Sequence, residues 1–133
     1  MAFVADMSVT AAWFLPSQAT GYTERMMDRA TKESVHLPAI WVYEFANVLV
    51  TLERRKKLTA AQTGGALERM AAFRMVVEPA LPDAGQLAVL ARQHGLSAYD
   101  TGYLELALRK RMPLASRDGG LAKAAAALGL FAK

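Results

Sequence analysis

The chain has 133 residues, a size that suits one domain with a substantial core and is too small for two complete domains. Hydrophobic residues make up 53% of it and charged residues 21%, which excludes a disordered chain. The net charge of +4 favours an anionic partner such as RNA, although a basic surface without any nucleic-acid partner is the alternative. We therefore predict a single globular domain over residues 1–133.

The sequence lacks the marks of several functional classes. It contains no cysteine, so disulfides, thiolate metal sites and a cysteine nucleophile are excluded, and the reducing cytoplasm is the expected location. The two histidines, His36 and His94, have no metal-ligand spacing, and no G-x-S-x-G motif occurs. Asp6 interrupts the apolar N-terminus, which also lacks a basic segment, so we expect neither a signal peptide nor a membrane partner.

In the first half of the chain, short apolar segments alternate with amphipathic ones. Residues 1–6 are typical of a buried strand. Ser8 is a good helix N-cap and Pro16 cannot continue a helix, so a first helix is predicted between them, over residues 9–15. The next predicted elements are a helix at 20–31, a strand at 34–38 and a long, largely buried helix at 40–55.

The second half continues the alternation. Thr59, Asp83 and Ser97 are the predicted N-terminal residues of three helices, the second of which ends at Gly95. In chain order, the predicted elements are a helix at 59–74, a strand at 75–79, helices at 83–95 and 97–111, a strand at 112–116, a helix at 120–128 and a possible fifth strand at 128–131.

Strands that alternate with helices imply parallel strand pairs joined by helical crossovers. The predicted fold class is therefore α/β, a three-layer α/β/α sandwich around a short parallel sheet. In such folds, ligands bind beyond the carboxyl ends of the strands, where the strand order reverses. The fold prediction thus places a site at one edge of the sheet.

Four acids fall at that edge. Asp6 ends the first predicted strand and Asp118 follows the fourth, while Asp100 lies in the first turn of one helix and Glu44 in the first or second turn of another. Helix N-termini and strand C-termini share one edge in a right-handed parallel sheet, so the four side chains can meet. Converging carboxylates repel one another, and a divalent cation relieves that repulsion. Their hard oxygen ligands suit Mg²⁺ or Mn²⁺.

Each acid also has an ordinary structural interpretation. Asp6 could be a turn residue, Asp100 a first-turn acid favoured by the helix dipole, and Asp118 the N-cap of the last helix. Glu44 is harder to explain in this way, because it is the only formal charge within residues 37–52.

Three polar neighbours could support the acids. Asn47 lies one helical turn beyond Glu44, where it could orient that carboxylate or serve as an ordinary polar contact between helices. Ser8 and Ser116 flank two of the acids, and they could hydrogen-bond them or simply cap helices.

At these residues the sequence resembles the PIN-domain family, and most of all its VapC-type toxins. The segments that carry the resemblance are FVADMSVTAAWFLP at residues 3–16, LPAIWVYEFANVL at 37–49, LSAYDTGYLELAL at 96–108 and MPLASRDGGLAKAA at 112–125. The resemblance implies a three-layer α/β/α fold, metal-dependent endoribonuclease activity, a homodimer and a small antitoxin protein as partner. It also implies an acidic set made of Asp6, Glu44, Asp100 and Asp118.

Two positions depart from the family pattern. Some branches carry a further acid just after the last one, where this chain has Gly119 and Gly120. The threonine common before the last acid is Ser116 here, which keeps the hydroxyl.

The resulting hypothesis is hydrolysis of RNA phosphodiester bonds with Mg²⁺ or Mn²⁺ at the acids. A non-catalytic PIN-fold module that binds RNA or protein is the main alternative; a receiver-like phosphoacceptor fits less well, because no paired acids follow the first strand. Basic residues that could contact the RNA backbone, or could be solvated helix ends, are Arg54, Arg55, Lys56, Lys57, Arg109, Lys110, Arg111 and Arg117.

Overall fold

The computed structural model describes all 133 residues and has a four-stranded parallel sheet at its centre, in the order β3-β2-β1-β4. The strands are β1 (Ala2–Ala5), β2 (Ser34–Pro38), β3 (Met75–Glu78) and β4 (Leu114–Ala115). The chain moves outward from β1 to β3 and then returns to the other side of β1. The strand order therefore reverses between β1 and β4, which is where a ligand site is expected.

The first four predicted strands are confirmed; β1, β3 and β4 are shorter than predicted, and β4 is shortened most. β4 has only two residues, paired as Val4 with Leu114 and Ala5 with Ala115. The possible fifth strand is reduced to one parallel bridge between Leu114 and Phe131. The sheet is thus narrowest where it adjoins the segment that carries Asp118.

Helices connect the strands and follow the predicted order. They are α1 (Met7–Thr10), α2 (Gly21–Ala30), α3 (Ile40–Arg54), α4 (Ala60–Met70), α5 (Ala84–His94), α6 (Ala98–Lys110) and α7 (Gly119–Ala127), with short 3-10 helices at Ala11–Trp13 and Pro16–Gln18. Thr59, Asp83 and Ser97 cap α4, α5 and α6 as predicted, each accepting a hydrogen bond from the backbone N–H three residues on. No helix has the length and apolarity needed to cross a bilayer.

The core encloses both faces of the sheet. Phe3, Val4 and Ala5 are all fully buried, and because successive strand residues point to opposite faces, both faces must be covered. On α3, a four-residue spacing directs Trp41, Phe45 and Leu49 into the same core. Burying a side chain of this size stabilises the fold by about 1.5–3 kcal/mol. The packing of this face fixes the rotation of α3, and with it the direction of Glu44.

The prediction that Ser8 caps the first helix is wrong, because Asp6 occupies that position. Asp6 has an extended backbone, with φ −85° and ψ 177°, and its side chain accepts from the Val9 N–H. Aspartate caps helices as well as serine does, so the acid that ends β1 starts α1 two residues earlier than predicted. The predicted helix also breaks after Thr10 into a 3-10 turn. Ser8 is left free to bond elsewhere.

Candidate active site

Asp6 is the most buried acid of the chain, with only 4% of its surface exposed. Its Oδ1 atom accepts hydrogen bonds from Ser8 Oγ at 2.5 Å and from Val9 N at 3.2 Å, and its Oδ2 atom accepts from Ser116 Oγ at 2.6 Å. Burial raises the pKa of Asp6 to about 6, although these hydrogen bonds oppose the shift. The structure therefore places at the end of β1 a carboxyl group whose charged form is disfavoured by burial.

The two serine hydroxyls join Asp6 to the segment that follows β4. Ser8 Oγ accepts from the Arg117 N–H at 2.9 Å, and Ser116 Oγ accepts from the Asp118 N–H at 3.0 Å. Each hydroxyl thus receives a backbone hydrogen bond and donates its own proton to the carboxylate. The structure places both serines in the hydrogen-bond network of the acids, which is one of the two interpretations that the sequence allowed for each of them.

Asp100 and Asp118 lie at the N-termini of α6 and α7. Asp100 is half-buried in the first turn of α6, and its backbone N–H donates to Ser97 Oγ at 3.1 Å. Burial raises the pKa of Asp100, and the charge of Asp118 raises it further, while Ser97 opposes the shift. Asp118 is exposed and caps α7, because its Oδ1 atom accepts from the Leu121 N–H at 2.9 Å. Its Oδ2 atom makes no hydrogen bond within the protein.

Glu44 meets a tyrosine. The carboxylate is half-buried, and its Oε1 atom accepts a 2.5 Å hydrogen bond from the hydroxyl of Tyr103 on α6. Burial raises the pKa of Glu44, the Tyr103 hydrogen bond opposes this shift, and the charge of Asp100 adds to it. Burial and the neighbouring Glu44 carboxylate likewise raise the pKa of Tyr103 well above its usual range.

Sequence reasoning missed Tyr103. The available signal was its position, three residues after Asp100 and therefore on the same side of α6. A tyrosine buried in a core also requires a partner for its hydroxyl. Neither signal identifies Glu44, which is 59 residues away in sequence.

Electrostatic repulsion links the four acids through Asp100. The charge of Asp100 raises the pKa of both Asp6 and Glu44, and the charge of Asp118 raises that of Asp100. The structure therefore brings all four acids into one electrostatic environment at the carboxyl edge of the sheet. Their side chains, as placed, do not form a ready-made group of three or more metal ligands.

Asn47 stays outside this network. It is exposed and makes no hydrogen bond to Glu44, whose partner is Tyr103 instead. Asn47 therefore does not orient the Glu44 carboxylate through a hydrogen bond in this structure.

Six of the eight basic candidates fall into three groups. Arg117 adjoins the acids, and its Nη1 atom donates to the Gln18 carbonyl at 2.8 Å. The exposed Arg54, Arg55 and Lys56 lie at the end of α3, about 15 Å along the helix axis from Glu44. Two further candidates already have acidic partners, Arg109 with Glu105 at 3.0 Å and Lys110 with Glu78 at 3.5 Å.

Comparison with known proteins agrees with this architecture. Residues 3–127 match the PIN domain family. The chain is 30% identical to Ribonuclease VapC3 of Pyrobaculum aerophilum over 128 residues, which cover 92% of this chain and 94% of that protein.

Two solved structures share the fold. PAE2754 from Pyrobaculum aerophilum matches with a TM-score of 0.69 and 18% identity, over 93% of this chain and 79% of that one. FitAcB from Neisseria gonorrhoeae matches with a TM-score of 0.64 and 23% identity, over 95% of this chain and 94% of that one. The predicted PIN-like α/β/α fold is confirmed. The chain belongs to the PIN-domain family, in its VapC-type branch.

Proposed function

We propose that this chain is a metal-dependent endoribonuclease and the toxin of a toxin–antitoxin pair, acting in the cytoplasm as one nuclease domain over residues 1–133. The proposal rests on four acids at the carboxyl edge of the sheet, where the charge of Asp100 raises the pKa of Asp6 and Glu44 and the charge of Asp118 raises that of Asp100. A relative that aligns along nearly the whole chain is named a ribonuclease, which supports the same activity.

The donor set fits a small, hard cation such as Mg²⁺ or Mn²⁺. All four groups offer carboxylate oxygens, and no soft ligand lies among them. Glu44 Oε2 and Asp118 Oδ2 have no hydrogen bond within the protein, and Asp6 Oδ2 has one, so lone pairs remain for a cation. The ion would be held by Asp6, Glu44, Asp100 and Asp118. When bound, it would lower the pKa of a water molecule and stabilise negative charge on a phosphate.

The residues of the chain contribute orientation and charge. Ser8 and Ser116 hold the Asp6 carboxylate in one direction, and the Ser97 cap fixes the first turn of α6 that carries Asp100. His36 does not join the acids, because its ring hydrogen-bonds Glu78 at 2.9 Å on the β2–β3 side of the sheet. His36 is therefore not assigned as a general base, and neither is His94, which lies in the last turn of α5, away from its N-terminus.

The test is cleavage of a structured RNA by purified protein. We expect cleavage in the presence of Mg²⁺ or Mn²⁺. It should stop when EDTA is added and return when the cation is restored. The products are resolved by denaturing electrophoresis, with protein from which contaminating nucleases have been removed. RNA that is bound but remains intact under every cation condition would favour the non-catalytic binding module.

The exposed cations are proposed to bind the RNA backbone, with Arg117 close to the reacting phosphate and Arg54, Arg55 and Lys56 a few nucleotides away. Each phosphate contact releases counterions, so binding should weaken as salt rises. Replacing Arg54 and Arg55 together by alanine is expected to reduce the slope of log affinity against log salt concentration by about 2. Lys123→Ala, which removes an exposed cation on α7, is the control for the loss of positive charge elsewhere on the surface. An unchanged slope in the double variant would remove these residues from the interface.

Two apolar faces support the proposed homodimer and antitoxin. One lies between the end of β2, residues 80–82 and the start of α6, and includes the exposed side chains of Leu81 and Tyr99. The other lies between α3 and α4 and includes Val50 and Leu67. Exposed apolar surface of this kind marks protein interaction sites. Light scattering should give twice the protomer mass of 14.4 kDa, and a monomer without a co-purifying small protein would contradict both assemblies.

A further inference from the structure

The Tyr103 hydroxyl is a buried polar group with one side-chain partner. Only 1% of Tyr103 is exposed, and its hydroxyl donates to Glu44 Oε1 at 2.5 Å. An O–H bond to a carboxylate at this distance is of the charge-assisted kind, which is stronger than one between neutral groups. The contact joins α6 to α3, two helices that follow different strands.

The ring of Tyr103 gives this hydroxyl a fixed position. α6 packs across β1 and β2, and Leu104, Leu106 and Ala107 beside the tyrosine are fully buried. A side chain enclosed in a close-packed core stays in one rotamer. Glu44, in contrast, has three rotatable bonds and is only half-buried, so the hydrogen bond restricts it rather than the tyrosine.

The same helix also carries Asp100. Asp100 and Tyr103 are three residues apart, so they lie on one side of α6 and face the same region of α3. The helix that supplies one acid therefore holds another through Tyr103. The hydrogen bond uses Oε1 and leaves Oε2 as the oxygen of Glu44 that is free for a cation.

We propose that Tyr103 is a positioning residue, whose hydroxyl holds the Glu44 carboxylate so that Oε2 is directed to the metal site. This inference rests on the metal-binding part of the proposed function, because it concerns the same acids. Its role is distinct from that of the acids: Tyr103 acts through Glu44 and contacts neither the cation nor the RNA.

The decisive variant is Tyr103→Phe, which keeps the ring in the core and removes the hydroxyl. Losing the partner that orients a ligand typically weakens metal binding by about 10- to 100-fold. The dissociation constant for Mn²⁺, measured by isothermal titration calorimetry, is therefore expected to rise by that factor. Thermal unfolding of the metal-free variant establishes that the fold is intact.

The same substitution made in a Glu44→Gln variant distinguishes a positioning role of Tyr103 from a role in packing. In Glu44→Gln protein, the side chain that Tyr103 acts upon no longer carries a carboxylate. Adding Tyr103→Phe to that background should change Mn²⁺ affinity by less than about twofold, since a residue that acts through another shows a coupled effect. An equal loss in both backgrounds, or no loss in the wild-type background, would overturn the inference.

The chain offers a matched control for the loss of a hydroxyl. Thr63 Oγ1 donates to Glu53 Oε2 at 2.9 Å, which is also a hydrogen bond from a hydroxyl to a glutamate of α3. Thr63→Val should leave Mn²⁺ affinity unchanged, because Glu53 is nine residues from Glu44.

Wild-type protein that binds Mn²⁺ without cleaving RNA would contradict the proposed function and leave this inference in place. Wild-type protein that binds no Mn²⁺ would contradict both.

Discussion

Asp100→Asn is expected to reduce metal-dependent RNA cleavage by at least about 100-fold while the protein remains folded. The charge of Asp100 raises the pKa of both Asp6 and Glu44, which is why we assign Asp100 a central place in the proposed metal site. The cap of α6 is unaffected, because Ser97 accepts from the backbone N–H of residue 100 and not from its side chain.

The measurement is kcat for cleavage at saturating Mg²⁺, together with the circular dichroism spectrum of the variant. Asp28→Asn is the matched control, since Asp28 is an exposed aspartate on α2 away from the acids. Full cleavage by the Asp100 variant, with the control equally active, would contradict the assignment of this acid to the site.

Much of the fold follows from local signals in the sequence. Thr59, Asp83 and Ser97 are correct caps because the rule involves a side chain and a backbone N–H only three residues away. Where two residues satisfy the same rule, local reasoning fails. Asp6 and Ser8 are both good caps, and the end of β1 decides between them by fixing the extended backbone of Asp6.

The location of the acids was predictable, whereas their hydrogen bonds were not. A topological rule places strand ends and helix starts at one edge, so Asp6, Asp100 and Asp118 could be grouped before any coordinates were known. The partners of these acids depend on packing between distant elements. Ser116 is 110 residues from Asp6, and Tyr103 is 59 residues from Glu44. No pattern in a single sequence gives those pairs.

The pKa of Asp6 leads to the second prediction, which concerns stability in the absence of metal. Its pKa is 3.8 in an unperturbed aspartate and about 6 in the folded protein, where burial disfavours the charged form. Because the folded state binds this proton more tightly, the contribution of Asp6 to stability is greatest below pH 4 and is lost as the pH rises through 6. At neutral pH, where Asp6 is ionised, its burial therefore lowers the free energy of unfolding by about 3 kcal/mol.

The Asp6→Asn variant has an amide in place of the carboxyl group, so this position cannot ionise. Asparagine is nevertheless able to cap α1. The difference in unfolding free energy between variant and wild type, measured by urea denaturation in EDTA, should shift in favour of the variant by about 3 kcal/mol between pH 3.5 and pH 7.5. The substitution also alters the hydrogen bonds to Ser8 and Ser116, at a free-energy cost. This cost cancels when the difference in unfolding free energy at pH 7.5 is compared with the difference at pH 3.5. Parallel stability curves for the two proteins would show that Asp6 titrates normally and has no need of a cation. A shift of the expected sign and size would mean that burial destabilises the ionised Asp6 in the metal-free protein at neutral pH, a cost that a cation bound at the proposed site would offset.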